Sequence, residues 1–257
     1  MKIIAVLPAR MGSSRFPGKP LAPILGRSMI EHVYWRTLMC GALDEVYVAT
    51  CDREIAEATE KFGGRAVMTS SAHQRASDRV AEVAQRLEAD VFLLVQGDEP
   101  MIFPEMIDLA LGPLLQDPAV LCTNLASPIR SREEFEDPNT IKVVMAKNGD
   151  ALYFSREPIP TRTRLSFDEL PVYKQVCVIP FRRDFLLRYT ALEPTPLEQA
   201  ESIDMLRALE HGYPIRLVKS EYMTQSVDTP ADLARVEGLM QDDPLVQRYG
   251  RGSHARQ

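Results

Sequence analysis

The sequence predicts an α/β fold: a mostly parallel sheet flanked by helices. Three features carry the prediction. An apolar start runs into a loop rich in glycine and cations, strand-like and helix-like runs alternate as far as Leu115, and a second apolar run ends in Gln96-Gly97-Asp98. Alternation of this kind implies right-handed β-α-β crossovers. Met1 to Leu7 reads as a buried parallel strand, because Ile3, Ile4, Val6 and Leu7 are bulky or β-branched and Pro8 bounds them. A helix over 29–39, a strand over 45–50 and a helix over 53–62 follow. Asp52 is placed to cap that second helix. A short strand over 66–68, a helix over 77–87, a strand over 91–95 and a helix over 104–115 with a proline start complete the first part.

From about Leu121 the texture changes. Short strands are expected at 120–127, 141–145, 151–155 and 176–181, joined by polar or proline-rich loops such as 157–164. This reads as a β-rich lid or dimerisation insertion, about 121–190, within a single domain of residues 1–240. Helices at 184–189, 202–211 and 230–240 and a strand at 215–219 close the core, and 241–257 reads as a polar tail. There is no internal repeat and no low-complexity tract.

Composition narrows the function. At 257 residues and 45% hydrophobic content the chain can bury a core without staples. Its four cysteines show no Cys-x-x-Cys pairing and its start has no apolar signal segment, which together suggest a reduced, cytoplasmic protein. No uninterrupted apolar stretch reaches the roughly 18 residues of a membrane span. The net charge of −6 argues against a general nucleic-acid binder. Basic loops on an acidic body suit a small anionic ligand.

The loop from Leu7 through Ala9 to Pro20 carries Arg10, Arg15 and Lys19 together with Gly12 and Gly18. It lies at the C-terminal end of a strand, where open α/β sheets bind ligands. Its glycines would let N–H groups approach phosphate oxygens, and its cations would neutralise a polyphosphate. It is not an ordinary P-loop of the form Gly-x-x-x-x-Gly-Lys-Ser/Thr: five residues separate the glycines, and Pro20 stands where the magnesium-binding hydroxyl would be. Asp98 ends the 91–95 strand at the same sheet edge. A carboxylate there repels phosphate unless a cation lies between them, and magnesium resolves the conflict with one or two carboxylates plus phosphate oxygens. Asp228, before the Pro230 helix, is the candidate second carboxylate, although by itself that position is more often a helix cap. Thr50 and Asp52, ending the second strand, and Arg75 and Ser77, after the third, are candidates for the base or ribose, with capping as the alternative for Ser77.

Taken in order, the segments Pro8 to Leu21, Ala49 to Asp52, Val95 to Pro100, Pro138 to Val144, Ala151 to Arg156, Pro194 to Glu198 and Val227 to Leu233 resemble the 3-deoxy-manno-octulosonate cytidylyltransferase family. The resemblance runs from Lys2 to Met240. It implies a nucleotide-diphospho-sugar transferase fold and an enzyme, usually homodimeric through the middle β insertion, that uses CTP and Mg²⁺ to make a CMP-sugar and pyrophosphate for lipopolysaccharide. Carried over, Leu7, Ala9, Arg10, Gly12, Arg15, Lys19, Thr50, Asp52, Arg75, Ser77 and Gln96 would bind the nucleotide. Arg15, Lys19 and Asp98 would act in catalysis, and Asp98 and Asp228 would bind the metal. Gln96, Arg156, Gln175, Glu198 and Glu201 would lie near the acid substrate.

The chain also departs from the pattern. Where the family usually reads His-x-Gly-Ile-Tyr, this chain has Gln175-Val176-Cys177-Val178-Ile179. Its base-pocket Ser-Gly-Thr-Glu/Asp-Arg appears as Arg75-Ala76-Ser77-Asp78-Arg79, and Gln199 replaces a usual His. The acceptor therefore stays open between 3-deoxy-manno-octulosonate and another acid: an amino-substituted analogue, another ulosonic acid, or a phosphonate. A catalytically silent nucleotide-binding relative is the alternative of a different class. A P-loop kinase is the more distant one.

Overall fold

A computed structural model of the chain describes residues 1–13, 15–165, 169 and 171–250. Ser14 of the basic loop and residues 251–257 of the expected tail lie outside the described residues. The described chain forms two compact units, 1–108 with 224–250 and 109–223.

The first unit begins with β1 (Ile3–Ala9), which runs two residues past the expected end at Leu7. The strand passes through Pro8, and an ideal Cβ on Gly97 would lie 3.1 Å from the Pro8 carbonyl oxygen. That side of β1 has lost its ladder partner by then, so the missing N–H of Pro8 leaves no gap in the sheet. A small hairpin, β2 (Pro23–Ile24) and β3 (Arg27–Ser28), leads into α1 (Met29–Leu38), whose apolar face is buried. Then come β4 (Glu45–Thr50), α2 (Arg53–Lys61), β5 (Ala66–Met68), α3 (Ala76–Arg86) and β6 (Val91–Val95). β6 is buried at every residue, as a central parallel strand must be. The four strands run parallel in the order β6-β1-β4-β5. The division between the units falls within α4 (Pro104–Gln116).

The second unit contains β7 (Thr123–Pro128), α5 (Arg132–Glu136), β8 (Lys142–Met145), β9 (Ala151–Ser155), β10 (Tyr173–Val176), β11 (Val178–Arg182), α6 (Arg183–Thr190), α7 (Pro196–Glu201), α8 (Met205–Glu210) and β12 (Arg216–Lys219). Its sheet has the order β12-β7-β10-β8-β9, with β12 parallel to β7 and the remaining pairs antiparallel. This corrects the expected insertion at 121–190. Because β12 pairs with β7 from Arg216–Thr123 onward, the strand assigned to the closing core extends the second sheet instead.

Two further expectations are corrected. The strand expected at 176–181 breaks at Cys177 into β10 and β11, and the helix expected at 202–211 begins only at Met205, preceded by the separate α7 over 196–201. Ser202 adopts a left-handed conformation (φ 55°), which ends α7.

The chain returns to the first unit for α9 (Pro230–Met240) and α10 (Pro244–Gly250). Residues 241–250 are therefore not the polar tail expected. Leu245 and Tyr249 are buried, and Arg36 on α1 pairs with Asp243. The buried His32 ring is fixed at both nitrogens: Nε2 donates to the Ile24 carbonyl (2.8 Å), so Nδ1 accepts from the Tyr249 hydroxyl (2.6 Å). Ile24, Met29, Val227, Val236 and Met240 form one apolar cluster, against which Phe16, Met101 and Val246 pack. No helix among the described residues is long and apolar enough to cross a membrane.

Burial, reinforced by Arg36 and Arg27, pushes the His32 pKa from its ordinary 6.5 down to about 4. The unfolded chain therefore binds more protons in this window. His32 contributes stability that is complete above pH 6.5 and is lost as pH falls toward 4, up to about 3 kcal/mol. Urea midpoints measured between pH 7 and pH 4.5 should fall accordingly, and His32→Gln should flatten that part of the slope.

Candidate active site

In the first unit β1 pairs with β4 along its length to Ala9–Thr50, but with β6 only from Ile3–Val91 to Val6–Leu94. The chain leaves β1 toward β4 on one side, and β6 lies on the other. The sheet's switch point is therefore between β1 and β6, and a crevice outside the strand ends is expected there. The loops after β1 and β6 flank it. Gly97 allows a close approach here, because an ideal Cβ would crowd the Pro8 carbonyl at 3.1 Å and Ile30 at 3.2 Å.

The basic loop is tied down through one peptide group. The Met11 carbonyl accepts from Ser13 N–H (2.9 Å) and Gly18 N–H (3.0 Å), while the Met11 N–H donates to the Asp52 carboxylate (2.7 Å). Asp52 stands at the N-cap of α2 but makes no capping bond with its side chain, because the carboxylate serves the loop instead. This corrects the capping expectation. Gly18 has φ 74° and starts the short 3-10 turn Lys19–Leu21, a left-handed conformation that glycine adopts without strain. Gly12 shows neither a positive φ nor a close neighbour, so nothing in this loop shape demands glycine there.

The Lys19 ammonium donates to Asp98 (2.7 Å), the Val227 carbonyl (2.8 Å) and Asp228 (3.4 Å), and Arg15 pairs with Asp228 at 3.0 Å. Two features bring the carboxylates together. Val227 N–H donates to the Asp98 carbonyl (3.0 Å), fastening the 224–230 segment to the loop after β6. Thr229, not Asp228, caps α9, with Asp232 closing the capping box, and this leaves the Asp228 carboxylate to face the cations. Arg10 is exposed and has no side-chain partner among the described residues.

Other nucleotide candidates are more enclosed. Leu7 and Thr50 are fully buried, and the Thr50 hydroxyl accepts from Asp52 N–H (3.0 Å), so neither side chain is open to a ligand. Ala9 is buried and Gln96 half-buried at their strand ends. Arg75 is the half-buried N-cap of α3, and Ser77 is buried within that helix rather than capping it. A buried guanidinium that sequence reasoning left without a role stands close by: Arg79 donates to the Thr69 hydroxyl and lies 3.6 Å from the Cys51 sulfur.

In the second unit the acceptor candidates form interlocked networks. Glu201 accepts from the Ser155 hydroxyl (2.6 Å), Arg156 N–H (2.8 Å) and the Tyr153 hydroxyl (3.3 Å). Burial raises its pKa, but these donors outweigh that and hold the carboxyl below the usual range. The Arg156 guanidinium donates to three backbone carbonyls, those of Glu201 (2.7 Å), Pro138 (3.0 Å) and Ser202 (3.3 Å). Lys142, unassigned in the sequence reading, is fully buried and donates to the carbonyls of Asp137 and Arg156. Burial lowers its pKa. Gln175 donates to Asn124 (2.6 Å), which in turn donates to Leu125 and Val176. Glu198 is 1% exposed and held by the Arg207 fork at 2.7 and 2.6 Å, which corrects its assignment to the acceptor. Ile179 is buried and Gln199 exposed.

A family profile described as Cytidylyltransferase matches residues 4–220. The chain belongs to the cytidylyltransferase family. Among its relatives, the 3-deoxy-manno-octulosonate cytidylyltransferase of Geobacter metallireducens is 48% identical over 246 residues, covering 92% of this chain and 96% of the relative. A solved structure of CMP:2-keto-3-deoxy-manno-octonic acid synthetase complexed with CTP matches at a TM-score of 0.87 and 43% identity, over 93% of this chain and 98% of the other. The 4-diphosphocytidyl-2C-methyl-D-erythritol synthase of Anaerococcus prevotii shares the fold at a TM-score of 0.62 and 15% identity, over 93% and 99% of the two chains.

Within this family member, Asp52 and Glu198 separate two kinds of effect. Asp52→Ala should raise KM for the nucleoside triphosphate about tenfold or more, the loss of one charge-assisted hydrogen bond, with acceptor KM unchanged. Asp52→Asn, which keeps an acceptor oxygen for Met11, should recover most of it in steady-state kinetics. Glu198→Ala should cost about 3–5 kcal/mol by stranding Arg207. Calorimetry should show that loss while the acceptor KM of the remaining folded protein stays near the parent value.

Proposed function

We propose that this protein transfers the cytidylyl group of CTP to 3-deoxy-manno-octulosonate, forming the CMP-sugar and pyrophosphate for lipopolysaccharide synthesis, as a cytoplasmic, Mg²⁺-dependent homodimer. The observation that carries the reading is the cluster of Arg15, Lys19, Asp98 and Asp228 at the β1/β6 switch point. It joins cations suited to a triphosphate with a carboxylate pair that a triphosphate alone would not need.

The carboxylates fit a divalent ion. Both reach the single ammonium of Lys19, so one small cation can touch the pair. Among the described residues no set of three or more His, Cys, Asp or Glu side chains converges as a metal site. Two protein carboxylates completed by phosphate and water oxygens is how Mg²⁺ is usually held. Bound there, it would supply charge stabilisation at the reacting phosphate and acidify the attacking hydroxyl.

The chain's own groups do the rest. Arg10 is free to meet phosphate oxygens, and Arg15 and Lys19 stabilise charge on the departing pyrophosphate. The anomeric oxygen of the acceptor forms a bond to the α-phosphorus in line as the α-phosphorus–pyrophosphate oxygen bond breaks. The hydroxyl proton passes to solvent, with Asp98 as the candidate should a protein base take part. A second reading, in which the acceptor is an amino-substituted or other ulosonic acid, is favoured by Gln175 and Ile179, which stand where the family pattern has His and Tyr.

The test is pyrophosphate release from each of the four nucleoside triphosphates against a panel of ulosonic acids and small phosphonates, with and without Mg²⁺. CTP with 3-deoxy-manno-octulosonate and Mg²⁺ should be the productive combination, and Asp98→Ala should lower its rate about 100-fold or more. Equal use of ATP, or near-parent turnover by the Asp98 variant, would overturn the assignment.

A further inference from the structure

A lysine stands between the two carboxylates. All three donor positions of the Lys19 ammonium are used, on Asp98, Asp228 and the Val227 carbonyl, and the side chain is only 12% exposed. Arg15 adds a second cation on Asp228. Two positive and two negative groups cancel, so the cluster offers no uncompensated charge to a divalent ion arriving alone. The base of the arm is fixed: Gly18 sets the start of the 3-10 turn and Pro20 beside Lys19 is buried. The flexible part is the four-carbon stem.

We propose that Lys19 is a tethered counter-ion that closes the Asp98–Asp228 pair to divalent cations until a polyphosphate draws it away, so that metal affinity is created by the nucleotide. This rests on the reading of those aspartates as metal carboxylates. Exposed Arg10 is the cation available for a first phosphate contact. Phosphate oxygens then compete with Asp98, Asp228 and Val227 for the ammonium and with Asp228 for the Arg15 guanidinium. Once both cations move, two carboxylates are left facing each other without compensation, an unfavourable arrangement that one divalent ion relieves. Nucleotide and metal therefore raise each other's affinity reciprocally. The same lysine holds the carboxylates apart from metal in one state and holds phosphate in the other.

The test uses Mn²⁺ as the probe, with free ion counted by electron paramagnetic resonance on the full chain without nucleotide. Lys19→Gln removes the charge but keeps a donor for Val227, and Lys19→Met serves as a second variant. Circular dichroism checks that both fold. The wild type should bind Mn²⁺ weakly, and both variants at least about tenfold more tightly. Adding Asp98→Asn to Lys19→Gln should abolish the gain, and Mn²⁺ should raise the melting temperature of the single lysine variants but not of the wild type. If wild type and variants bind Mn²⁺ equally tightly through Asp98, the metal reading stands and the counter-ion role falls. If neither the lysine variants nor the wild type with CTP retains Mn²⁺ through Asp98, the metal reading falls and the inference with it.

Discussion

The single bond from Val227 N–H to the Asp98 carbonyl underlies the chemistry of the first unit. Asp98 and Asp228 are far apart in the chain and belong to different supersecondary pieces, a strand end and a helix entry. Backbone pairing between the two segments brings both carboxylates to one ammonium. The apolar cluster that buries Val227 with Ile24, Met29 and Val236, with Phe16 packed against it, holds the same arrangement from behind. Hydrophobic packing is non-directional and the hydrogen bond is directional. Together they fix both the depth and the register of the segment.

The basic loop is ordered by the same economy of contacts. One peptide group, that of Met11, is held by Asp52 on one side and gathers Gly18 and Ser13 on the other. The loop is therefore shaped by its own backbone contacts, which lowers the entropy that binding must remove. What remains adjustable is at the ends of long side chains, Arg10, Arg15 and Lys19, where movement costs little backbone order.

Much of this was legible in the residues. β4, β5, β6, β9 and α9 fall at the expected residues, because apolar runs bounded by turn residues carry their own limits. Asp98 and Asp228 were identified from their places before a turn and before a proline-initiated helix, and the fold brings them together. What escaped was decided by partners that sequence spacing does not reveal. Asp52 has every local mark of a helix cap, yet its carboxylate is taken by Met11, and Glu198 reads as a polar site residue until the Arg207 fork closes on it. Residues 241–250 looked like a tail because polar residues surround Leu245 and Tyr249. The anchors of α10 are His32 and Arg36, both on α1.

The Glu198–Arg207 pair also shapes how the second unit responds to heat. Drawing two ions out of water is costly near room temperature, but the hydration they forgo loses value as temperature rises, whereas apolar burial levels off. The corner where α7 meets α8 is therefore braced by a contact whose relative worth grows on warming, and it should be among the last parts of that unit to loosen near the melting point.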